Sequence, residues 1–168
     1  MKIIGKMILG FVGVALLGAA VGILGIINMR SIARADLNLY ESMTVPIGDL
    51  SIVSTALNRQ RAYVLQAVLR NNPDYTKEMR TKLTAREEET QQAQKNYEST
   101  LFSEEGRRML ADLSAKEEEF DSLMEEILSL TDAGNVEGAM ERLDDFEAAT
   151  IALNGIVNEM IASKTHFA

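Results

Sequence analysis

SEEGRRMLADLSAKEEEFDSLMEEILSLTDAGNVEGAMERLDDFEAATIALNGIVNEM, residues 103–160, decides the fold of this chain. Met109, Leu113, Phe120, Leu123, Ile127 and Leu130 recur in alternating steps of four and three, with a polar slot near Lys116. Ala139, Leu143, Phe146, Thr150, Leu153, Val157 and Met160 repeat the rhythm after Thr131-Asp132-Ala133-Gly134-Asn135, a helix stop followed by a new start. Such a seam marks helices packed along their length at shallow angles.

Upstream the pattern continues. Tyr75, Met79, Leu83, Thr90, Ala93 and Tyr97 share one helical face. Asn71-Asn72-Pro73-Asp74 is a break, because proline cannot sit inside a helix. Ser103 followed by Glu104 and Glu105 reads as an N-cap with acids in the first turn. The expected helices are about 28–70, 74–99, 104–131 and 135–168. No stretch alternates with period two, so the predicted fold is all-α: an N-terminal transmembrane helix followed by an up-down-up-down antiparallel four-helix bundle. At about 1.5 Å per residue, residues 44–70 match the height of the other helices. Residues 28–43 are then left as a stalk, with Pro46 at its top interrupting the first helix.

Met7 to Ile27 carries no charged residue, long enough to cross a hydrocarbon layer of ~30 Å. Lys2 and Lys6 precede it, and Arg30 and Arg34 follow. Gly18-Ala19-Ala20 offers a small-residue cleavage site, but apolar sequence runs on past it to Ile27, which favours an uncleaved anchor. The expected division is 1–27 as cytoplasmic start and anchor and 28–168 as an extracytoplasmic domain. Gly18, Gly22 and Gly25 share a face that permits close helix contact in lipid. Helix four returns toward the membrane and stops before any second apolar span, the pattern of a truncated chain.

Composition narrows the function. The chain of 168 residues has a net charge of −8, unlike the basic stripe of a nucleic-acid surface. It has no Cys, which excludes disulfides and thiolate metal sites. His166 is the only histidine, and no metal site or cofactor is expected. Glu87-Glu88-Glu89 and Glu117-Glu118-Glu119 point around their helices, so each run reads as a solvated face. No nucleophile–base pair or phosphate-binding glycine loop is present, so an enzyme is not expected.

The chain resembles the N-terminal half of methyl-accepting chemotaxis proteins that carry a four-helix-bundle ligand-binding region. Ile27-Asn28-Met29-Arg30-Ser31-Ile32 is similar to that family's exit from the membrane, and Leu39-Tyr40-Glu41 followed by Val45-Pro46-Ile47 to a recurrent stretch of it. Leu57-Asn58-Arg59 and Gln94-Lys95-Asn96-Tyr97 are similar to segments of amino-acid-sensing receptors. The resemblance implies a sensor in the inner (cytoplasmic) membrane, with residues 28–168 periplasmic. It implies a small-molecule or periplasmic-binding-protein ligand, and a homodimer whose first helices meet. The same bundle fronts some sensor kinases and cyclase-type receptors. A membrane-anchored structural bundle is the alternative from another class.

Aspartate-type receptors set arginines on the first helix to grip ligand carboxylates, which implies such a role for the group Arg59, Arg61 and Arg70. The guanidinium fork suits that work. Arg61 reads as lying in the apolar stripe between Leu57 and Val64, and Thr150 interrupts the seam of helix four at a similar height. The expected ligand site is therefore Arg59, Arg61 and Thr150. Arg59 and Arg61 point to different faces and Arg70 closes the helix, so a solvated or ion-paired surface is the competing reading. Val64, Leu65, Val68 and Leu69 make a wide apolar arc that suggests a partner helix.

Overall fold

The computed structural model describes residues 3–101 and 103–165, so His166 lies outside the described residues. Among them there is no strand. The helices are α1 (Ile3–Leu39), α2 (Val45–Arg70), α3 (Pro73–Glu98), α4 (Glu104–Asp132), α5 (Val136–Glu141) and α6 (Leu143–Thr165). By compactness the chain divides into two units, residues 1–41 and 42–168. α1 runs on through residues 28–39 with no described side chain buried.

Between α1 and α2 lies a π-helical turn, Tyr40–Thr44. Pro46, two residues into α2, has no N–H with which to continue the ladder, and a wider turn upstream accommodates the gap. The interruption expected at Pro46 therefore falls just before it.

α3, α4 and α5 each start with a side-chain cap. Asn72 Oδ1 accepts from the Tyr75 N–H at 3.0 Å, Ser103 Oγ from Gly106 at 3.1 Å and Asn135 Oδ1 from Gly138 at 3.1 Å. These bonds satisfy donors that a helix start leaves open. Gly134 sits at φ +73°, the left-handed conformation that lets the chain turn back after α4. The expected fourth helix is split at Arg142, which pairs with Glu126 on α4 at 2.8 Å.

α2, α3, α4 and the α5–α6 pair form an antiparallel four-helix bundle, the fold expected from the seams. Its core holds Val53, Leu57, Val64, Met79, Leu113, Phe120, Ile127, Phe146, Leu153 and Val157, all at most 1% exposed. α2 packs most extensively on α3, and α4 on α6, while the α3–α4 seam is the sparsest between adjacent helices. Arg80 of α3 spans that seam at one end, bonding Glu125 at 2.6 Å and Asp132 at 3.0 Å on α4.

Two readings of α2 are corrected. Its buried stripe runs Val53, Leu57, Gln60, Val64, Ala67, in steps of four and three, so Gln60 and not Arg61 occupies the seam. Val64 and Val68 are buried within this bundle, so the wide apolar arc shrinks to Leu69, 74% exposed, and half-buried Leu65.

Candidate functional site

A buried threonine must place its hydroxyl somewhere. Thr76, Thr131 and Thr150 donate to the carbonyl four residues earlier, at 3.1, 2.8 and 2.8 Å. Thr90 does not: it is 7% exposed and its Oγ1 has no hydrogen-bond partner. It lines a cavity of about 60 Å³ in the sparse seam between α3 and α4.

Three helices build that cavity. α2 contributes Leu57 and Gln60, α3 contributes Glu87, Thr90, Gln91 and Gln94, and α4 contributes Glu117, Phe120 and Asp121. Leu57 and Phe120, each 1% exposed, give it an apolar side, and Phe120 is held from behind by stacking on Phe146 of α6 at 4.7 Å. Glu117 and Asp121 are four apart on α4 and so share its face. Gln94 donates to Glu117 across the seam, and Gln91 donates to Glu87 at 3.2 Å.

The charge is one-sided, since no Lys or Arg lines the cavity. Burial lifts the Glu117 carboxyl above its ordinary range; the Gln94 bond offsets part of this and the charge of Asp121 adds to it. Burial also raises Asp121, helped by the charge of Glu87. Among the described residues no group of three or more acidic or histidine side chains is arranged to hold a metal ion.

The residues expected to bind ligand lie elsewhere. Ser54 meets Asn154 at 2.9 Å and Arg61 is ion-paired with Glu147, so α2 and α6 run antiparallel with Thr150 level with Asn58. The expected similarity of height is thus present. Arg61 is half-exposed rather than seated in the core, Arg59 is exposed, and the Thr150 hydroxyl is used within α6. None of the three lines the α3–α4 cavity. Gly18, Gly22 and Gly25 leave open space around their α-carbons on α1.

The cavity escaped the sequence reading for a definable reason. Glu87 and Glu117 each come from a run of three acids read as a solvated face. One member of each run lines the cavity, Glu117 half-buried and Glu87 from an exposed position, and only the register between α3 and α4 selects which. Gln60 and Thr90 carried the available signal, as polar residues at seam positions.

A bundle of four antiparallel helices preceded by a long apolar helix is the arrangement on the page. Over residues 1–168 the sequence matches the family described as the four helix bundle sensory module for signal transduction. The chain belongs to that family. No curated protein and no solved structure matches it. The sensory module is a signal-transduction element of the chemoreceptor type and not a member of a catalytic family. Its α1 contains a stretch long and apolar enough to cross a membrane.

Proposed function

We propose that this sensory module is the ligand-sensing part of a chemoreceptor, held in the cytoplasmic membrane by α1 with its bundle outside, and that it works as a homodimer. One observation carries the reading: family membership covers the apolar helix and the bundle together. In that helix Phe11, Leu17 and Val21 are 74%, 69% and 69% exposed, an apolar surface suited to lipid rather than water. Signalling is then a shift of population between packed helix arrangements, driven by a ligand that binds one better. Sensor kinases and cyclase-type receptors use the same input with a different output.

A panel of single cysteines tests this, since the chain has none of its own. A cysteine in place of Glu88, which is exposed on α3, should react with an impermeant maleimide in intact spheroplasts. Reaction only after lysis would reverse the topology. Cysteines at Ile52 and Leu69, 40% and 74% exposed on α2, should form disulfides between copies in membranes. Disulfides at Ser114 of α4, with none on α2, would move the dimer axis.

Arg59, Arg61 and Thr150 belong to this proposal as a place for a carboxylate-bearing ligand. Such a ligand must displace Glu147 from Arg61. The E147Q variant should therefore bind an acidic ligand more tightly, and R61A more weakly by about 1.5–3 kcal/mol, by calorimetry. Equal affinity in both variants would remove Arg61 from the site.

A further inference from the structure

The cavity between α3 and α4 has the chemistry of a receptor for one kind of group. Its polar atoms are carboxylates, carboxamides and a hydroxyl, and no basic side chain lines it. Thr90 Oγ1 is buried there with no partner, and no hydrogen bond holds the Gln60 carboxamide, although Gln60 is only 3% exposed. A buried polar group without a partner costs about 1–3 kcal/mol, so the Thr90 hydroxyl, which can accept as well as donate, is open to a partner. Glu117 and Asp121 form no ion pair with any described residue. An anion would meet only repulsion.

We propose that this cavity binds a small primary alkylammonium, its ammonium group toward Glu117, Asp121 and Thr90 and its carbon against Leu57 and Phe120. An ammonium carries three N–H donors on one compact charge, matching acceptors from α3 and α4. The volume of about 60 Å³ takes a group of a few heavy atoms. A divalent metal ion fits less well, because the described acids are not arranged as a ligand set. A bare alkali cation leaves the apolar side unused. The raised position of both α4 carboxyls supports the assignment, since a cation relieves the cost of holding them charged. The bound ammonium draws α3 and α4 together across their sparsest seam.

The proposal deepens the sensory reading by naming a ligand class. Its test uses the full chain in neutral-lipid nanodiscs, titrated calorimetrically near neutral pH at fixed ionic strength. The probes are methylammonium, tetramethylammonium and sodium chlorides. Methylammonium should bind saturably, with E117Q/D121N weakening it by about tenfold or more, as loss of charge-assisted hydrogen bonds requires. Tetramethylammonium, which has no N–H to donate, and sodium should give no saturable heat. Equal responses to all three salts, no saturable methylammonium binding, or unchanged binding in E117Q/D121N would each overturn the site. Should that double variant lose its helical circular dichroism, T90V decides: it removes only the unpartnered hydroxyl and should weaken binding by roughly fivefold. Unchanged binding in T90V would then overturn the proposal. Binding to the purified chain does not depend on topology, so failure here and failure of the cysteine panel are separate results.

Discussion

The F120A variant should lower the stability of the bundle by about 3–5 kcal/mol, seen as a fall in the urea midpoint of residues 42–168 at unchanged slope. Phe120 is 1% exposed and stacks on Phe146 at 4.7 Å with 25° between the planes, so its removal deletes apolar burial and a ring contact together. Its position in the cavity wall adds a second consequence. The void left behind joins the cavity between α3 and α4, and water can enter between Gln60 and Glu117. Hydration limits the vacuum cost but wets Phe146 and Leu57. F120L keeps most of the volume and should cost about 1–1.5 kcal/mol. A loss below about 1 kcal/mol in F120A would mean that this ring is not the keystone its burial implies.

The V14R/L17R variant should detach the chain from the membrane. Each arginine at the centre of a spanning helix costs about 2.5–3.5 kcal/mol on insertion scales, so the pair costs on the order of 5–7 kcal/mol. Val14 and Leu17 are 70% and 69% exposed on α1, and residues 42–168 form a compact unit of their own, so the fold of that unit should survive. Alkaline carbonate extraction reads the result: parent chain in the pellet, variant in the supernatant or degraded. A parent chain that carbonate extracts would show that α1 does not anchor it.

The bundle was legible because its seams are regular. Met79, Leu83, Ala93, Tyr97, Leu113, Ile127, Leu153 and Met160 stand at intervals of three and four or their multiples, and all are buried. The caps at Asn72, Ser103 and Asn135 are turn chemistry written in single residues. What one helix cannot reveal is its phase against a neighbour. Gln60 and Arg61 are adjacent, and a rotation of about 100° exchanges their roles. In the sequence Arg61 lies four residues after Leu57, a step that suits the seam as well as the three to Gln60. That Glu87 and Asp121 are like-charged neighbours is invisible in the sequence, because they come together only through packing between helices. The π-helical turn at Tyr40–Thr44 left no trace beyond Pro46. The break at Arg142 carries no proline or glycine to announce it.

Phe120 faces two ways, into the cavity between α3 and α4 and onto Phe146 of α6. One ring thus belongs to the pocket wall and to the packing of the last helix. If that ring has two settings, whatever occupies the cavity and whatever pulls on α6 bias the same equilibrium. Thermodynamic reciprocity then binds them: the factor by which an occupant shifts α6 is the factor by which a load on α6 shifts the occupant's affinity. Any assembly that clamps the end of α6 would retune what the cavity holds without touching it.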